Sequence, residues 1–141
     1  MAIRKGYVDT GDGQIHFRYE VSGNNGVPIV FLHQTASSSA SYEKIMGQLS
    51  GQFRMFALDT PGFGQSFSPP EKPSTDYYAA RLLEALDNLG IDLFHVFGHH
   101  TGAAIAVEMA AKNQSRIRSI MLDGPVYLSA EERQYWLDNA I

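Results

Sequence analysis

The sequence predicts an α/β fold: a largely parallel sheet with an antiparallel N-terminal hairpin and helices on both faces. Three observations point there. Short apolar runs alternate with segments of helical period, as they do in chains that wind helices around a parallel sheet. Only the first strands break that rhythm, with period-two alternation around a glycine-rich turn. Residues that carry chemistry fall repeatedly at the ends of the apolar runs, at His33, Asp59, His100 and Asp123. In open α/β sheets ligands bind beyond those carboxyl ends, so the four are expected to line one site.

The elements follow in order. Tyr7-Val8-Asp9, the turn Gly11-Asp12-Gly13 and the alternating stretch Ile15 to Val21 make a hairpin, because Asp-Gly favours a tight turn. Pro28-Ile29-Val30-Phe31-Leu32 is continuously apolar, the mark of a strand buried on both faces, and His33-Gln34 ends it. Ser37-Ser38-Ser39 reads as loop and cap. Tyr42, Ile45, Met46 and Leu49 recur at helical spacing, and Phe53 to Leu58 forms the next strand. Ser74 or Thr75 caps a helix whose apolar stripe is Tyr78, Leu82, Ala85, Leu86 and Leu89, with Gly90 as its stop. Leu93-Phe94-His95-Val96-Phe97 is a strand, a helix of small residues runs from about 103 to 113, and Ile117 to Leu122 is a further strand ending at Asp123.

Between the last two strands lies Gly98-His99-His100-Thr101-Gly102. Strand, sharp turn and helix, with glycines two before and two after the central residue, is the architecture of the G-x-S-x-G nucleophile elbow. The frame is present, with His100 where a serine would stand. A neutral imidazole is a nucleophile, or a base for water, without a partner. Thr101, one residue later, is expected to turn its side chain into the helix and to contribute its backbone N–H. His99 and His95 are expected to pack or bond locally, and His16 to sit on the surface or half-buried.

With Asp59-Thr60-Pro61-Gly62-Phe63-Gly64-Gln65-Ser66 between His33-Gln34 and this pentad, the chain resembles the N-terminal half of an α/β-hydrolase-fold protein. It is most similar to the branch of haloalkane dehalogenases, epoxide hydrolases, and ester and carbon-carbon bond hydrolases. The resemblance implies a partial α/β-hydrolase fold acting on a small, fairly apolar ester or related substrate. It implies an oxyanion hole from the backbone N–H groups of Gln34 and Thr101, His100 in the nucleophile's seat, and Asp123 as an acid. His33, Asp59, Tyr135 and Trp136 are assigned to the pocket, the last two opening a lid. The alternative reading is a ligand-binding or receptor module that kept the pocket without the chemistry, or an inactive fragment.

Residues 1–127 are expected to form the N-terminal part of the core and 128–141 to begin a cap, interrupted at the terminus. There, Ser129-Ala130-Glu131-Glu132 fits a capping box. Hydrophobic residues make up 44% of the 141 and charged residues 18%, enough apolar content for a single core. No cysteine is present, which excludes disulfides, thiolate metal sites and a cysteine nucleophile. The net charge of -4, without a basic cluster, gives no footprint for nucleic acid. No stretch reaches the roughly 20 apolar residues of a membrane span, and a cytoplasmic location is the default expectation. Neither a G-x-G-x-x-G spacing nor a Walker lysine occurs, so no cofactor is implied, and no metal-ligand motif is present. The partner expected is a small molecule, and an unpaired sheet edge predicts self-association.

Overall fold

The computed structural model describes residues 3–23, 26–125 and 129–139. Its strands are β1 (Arg4–Thr10), β2 (Gly13–Glu20), β3 (Ile29–Leu32), β4 (Met55–Leu58), β5 (Phe94–His99) and β6 (Ile117–Asp123). They form one six-stranded sheet in the order β1-β2-β4-β3-β5-β6. Pairings of β1 with β2 and of β2 with β4 are antiparallel, and the remaining three are parallel. The hairpin closes through Thr10 opposite Gly13, with Gly13 at φ 150. The expected architecture is the one observed.

Four helices complete the described residues: α1 (Glu43–Gln48), α2 (Thr75–Asn88), α3 (Thr101–Lys112) and α4 (Ala130–Asn139). Helices α2 and α4 begin where the sequence says they should, and α3 begins two residues ahead of the expected 103. The Ser74 hydroxyl accepts from the Tyr77 N–H at the start of α2, and Gly90, at φ 75, lies just past its end. Ser129 Oγ accepts from the Glu132 N–H at 3.1 Å and Glu132 Oε2 accepts from the Ser129 N–H at 3.4 Å at the start of α4, the two bonds of the predicted box. The first helix departs from expectation. Ser39–Tyr42 form a 3-10 turn ahead of α1, so the stripe rotates: Tyr42 and Met46 are buried while Ile45 is 41% exposed.

Side chains alternate across the sheet into two cores. Val30, Leu32, Leu58 and Val96 face α2 and α3, packing with Leu82, Leu86, Ile105 and Met109. On the opposite face Phe31, Met55 and Ala57 pack with Tyr42 and Met46. Each fully buried aliphatic side chain contributes about 2 kcal/mol, so both cores lock the strand ends in place. The chain leaves β3 toward one face and one neighbour, then returns through β5 on its other side. That reversal opens a crevice between the carboxyl ends of β3 and β5, where such sheets place ligands. At the far edge, β6 leaves Ile120, Met121 and Leu122 each about two-fifths exposed.

The crevice is narrow because glycine permits contact. A Cβ on Gly102 would run into the Leu32 carbonyl of β3, and one on Gly98 into the Gly102 carbonyl. Backbone cannot give way as a flexible side chain can. Gly102→Ala is therefore expected to destabilise the protein by about 3 kcal/mol, read as a lower urea midpoint. An unchanged midpoint would mean that the close approach is not required.

Candidate functional site

The turn between β5 and α3 is held from both sides. His100 N–H donates to the Asp123 carbonyl at 2.9 Å, which prolongs the β5–β6 ladder, and the His100 carbonyl accepts from the N–H of Ala103 at 3.0 Å. Between these anchors His100 sits at φ 56, ψ -113 and caps α3 without a side-chain hydrogen bond. Such a conformation costs a residue with a Cβ about 1–3 kcal/mol, and persists only where the surroundings enforce it. The result is an exposed imidazole at the tip of a rigid turn.

His33, at the end of β3, is buried. Its Nε2 accepts from the Thr60 N–H at 3.0 Å and its Nδ1 lies 2.7 Å from the Gln34 carbonyl. Only one tautomer satisfies both: the proton is on Nδ1, donating to Gln34. Burial pushes its pKa below the ordinary histidine value, against the opposing pull of the Gln34 bond and the Asp59 charge. With both nitrogens engaged, His33 joins the β3 and β4 loops and offers no lone pair to a metal. Among the described residues no group of three or more His, Asp or Glu is placed to hold one.

Asp59, at the end of β4, is fully buried. Its Oδ1 accepts from the Ser39 N–H at 2.7 Å, and its Oδ2 from the Gln65 N–H and His16 Nδ1, each at 2.9 Å. Burial works against its charge, but these bonds outweigh burial and hold its carboxyl below the usual range. Gly64 lies against it so closely that a Cβ there would strike the carboxylate. Asp59 thus pins its turn. His16 is corrected with it: the residue expected on the surface or half-buried is buried, because its ring is the partner of this carboxylate.

A cavity of about 100 Å³ opens beside the turn, lined by His33, Thr35, Thr60, Phe63, Thr75, Tyr78, Thr101, Ala104 and Ile105. Of the four strand-end residues expected to converge, only His33 reaches it. Asp59 is enclosed by its loops, and Asp123 Oδ2 lies 3.0 Å from His99 Nδ1 at the next strand end. His95 Nδ1 meets Ser119 Oγ at 2.6 Å in a hydrogen bond, whereas His99 lies beside Asp123 without one among the described residues; both flanking histidines have local neighbours, as expected.

A sequence model of the alpha/beta hydrolase fold family matches residues 27–139. The chain belongs to the alpha/beta hydrolase fold family. Haloalkane dehalogenase 2 of Mycobacterium tuberculosis is 30% identical over 130 residues, which cover 89% of this chain and 43% of that protein. The dihydrolipoyllysine-residue acetyltransferase component of the acetoin cleaving system of Pseudomonas putida is 29% identical over 104 residues, 74% of this chain and 28% of that one. Among solved structures, the N-acyl homoserine lactonase AidH complexed with N-butanoyl homoserine superposes with a TM-score of 0.81 at 30% identity, over 92% of this chain and 48% of that one. The chain thus spans less than half the length of these relatives.

Within this alpha/beta hydrolase fold Thr101 departs from expectation. Its hydroxyl does not turn into α3 but crosses the crevice, accepting from the Thr35 N–H at 2.6 Å and lying 2.8 Å from Thr35 Oγ1. Position alone could not show this, since it depends on how closely α3 approaches β3. Tyr135 is exposed on α4 and does not line the cavity, and the Trp136 side chain lies outside what the structure describes. His16 and Thr35 are the site-supporting residues that the sequence reading missed; no local signal marked His16, because the period-two alternation places it on the polar face with Arg18 and Glu20.

Asp59→Asn places an NH₂ group against one of three donors and is expected to cost about 2 kcal/mol at pH 7. A depressed carboxylate contributes stability above its unfolded value of about 3.9, and that contribution is lost as pH falls through the lower folded value. Urea unfolding at a series of pH values should show the difference between wild type and Asp59→Asn shrinking below about pH 4. A constant difference would mean that the charge is not what stabilises the turn.

Proposed function

We propose that this chain carries the nucleophile half of a hydrolase acting on small, fairly apolar esters or related substrates, with His100 as the reacting group. The observation that carries the reading is His100 at φ 56, exposed, without a hydrogen bond to its imidazole among the described residues. A non-glycine residue maintained in this conformation at the tip of an elbow is held there for what its side chain does. The names of the relatives, a dehalogenase and a lactonase among them, support hydrolysis of a small molecule without selecting one.

In this mechanism the unprotonated imidazole nitrogen attacks the ester carbonyl carbon. Backbone N–H groups of Gln34 and Thr101 face the oxygen that becomes negative. Collapse expels the alkoxide, which takes the imidazolium proton and leaves as alcohol. Water then cleaves the acyl-imidazole to carboxylic acid and free His100. Asp123 is the acid of the site, acting through His99. Residues 128–141 begin the cap, and the exposed edge of β6 is the surface through which copies of the chain would associate.

One observation favours the second reading, a ligand-binding module of hydrolase fold: the carboxylate of Asp123 faces His99 and not His100. The two readings separate in one assay. With a p-nitrophenyl ester of a short acid, His100→Ala and His100→Gln should each lower turnover about 100-fold or more. Acid-quenched peptide mass spectrometry should locate acyl label on the elbow peptide. Turnover that survives both substitutions would overturn the role of His100, and saturable ester binding without turnover in any form would favour the binding module.

A further inference from the structure

The bond across the crevice leaves a proton over. Thr101 Oγ1 accepts from the backbone N–H of Thr35, and a hydroxyl–hydroxyl hydrogen bond of 2.8 Å joins Thr35 Oγ1 to it. Two hydroxyls hold two protons, and the bond between them uses one. Whichever hydroxyl donates, the other keeps an O–H with no acceptor among the described residues. Both threonines line the cavity of about 100 Å³.

The pair is held under strain. Among the described residues the non-glycine residues of positive φ are Ala36, at φ 64, and His100, at φ 56. One follows Thr35 and the other precedes Thr101. Local strain of this kind collects at binding and catalytic sites, where it fixes a geometry the chain would not otherwise adopt. Here it flanks both ends of a single hydrogen-bonded pair.

The rest of the lining defines the ligand. It contains no Lys, Arg, Asp or Glu, and both nitrogens of His33 are occupied, so a charged group would enter without a counter-ion. Phe63, Tyr78, Ala104 and Ile105 supply apolar wall. The first residues of α2 and α3, Thr75 and Thr101, both reach it, and helix N-termini favour the negative end of a dipole. An apolar cavity of about 150 Å³ takes a six-carbon ring, so this one takes about four heavy atoms.

We propose that the Thr35–Thr101 hydroxyl pair binds the carbonyl oxygen of a short, neutral acyl group of about four heavy atoms seated in this cavity. It joins the N–H donors of Gln34 and Thr101 and limits the substrate to short acyl chains. The inference rests on reading this end of the sheet as the substrate site, but it does not require that His100 perform the chemistry.

Butanamide, a neutral acyl probe that the site should not turn over, tests it by threonine-methyl NMR. Saturable shifts of the Thr35 and Thr60 methyl signals are expected in wild type, in Thr101→Ser and in His100→Ala, with the Thr101 methyl signal shifting in the two forms that keep it. Thr35→Val or Thr101→Val alone leaves one hydroxyl with its proton free and should keep most of the binding, whereas the double variant, which removes both hydroxyls, should weaken it about tenfold. Octanamide should bind more weakly than butanamide. Absence of a saturable shift in wild type, undiminished binding by the Thr35→Val/Thr101→Val double variant, or octanamide binding as tightly as butanamide would each overturn the proposal. Loss of ester turnover in His100→Ala with butanamide binding retained would uphold both this inference and the catalytic reading; turnover retained there would count against His100 alone.

Discussion

The first turn of α3 lies directly on the carboxyl end of β3, backbone against backbone, and most of what is distinctive in this molecule depends on that contact. Gly98 and Gly102 make it sterically possible. Because α3 is packed so close, the chain must reverse from β5 into the helix within one residue, and His100 absorbs the reversal at φ 56, ψ -113. The same approach brings Thr101 within hydrogen-bonding reach of Thr35. An exposed imidazole, a crevice and a hydroxyl pair thus share one steric cause.

A contact of this kind needs loops that do not yield. Asp59 and His33 supply them from beneath the site. Asp59 ties the turns at Ser39 and Gln65 to the hairpin through His16, and His33 ties the β3 loop to Thr60. Both groups are buried with their polar atoms bonded, and such networks stiffen a structure because a half-broken one is costly. They act on the site by holding its walls.

Much of the fold was legible in the sequence. Period-two alternation marked the hairpin, continuous apolar runs marked the central strands, and Ser74 and Gly90 bracketed α2, because each of these signals is local. The elbow was legible in its glycines. The site was less so. Four strand-end residues were expected to converge, yet carboxyl ends of adjacent strands also carry the groups that fasten loops, and chain position does not separate the two duties. Asp59 proved a fastener and Asp123 the neighbour of His99. The Thr35–Thr101 bond joins residues 66 apart in the chain and depends on helix placement, which no local pattern encodes. Ile45 illustrates the same limit in the core, where a 3-10 turn shifted a stripe by part of a turn.

The central claim is that the strain at residue 100 is maintained for the imidazole it presents. Replacing His100 by glycine tests this most directly, because glycine adopts that conformation freely. Relief of about 1–3 kcal/mol of strain exceeds the entropy that glycine adds to the unfolded chain. The measurement is the unfolding free energy of His100→Gly against wild type, with ester turnover read on the same samples. The account predicts a protein more stable by about 1 kcal/mol and without turnover. A variant that is no more stable than wild type, or one that still hydrolyses ester, would contradict it.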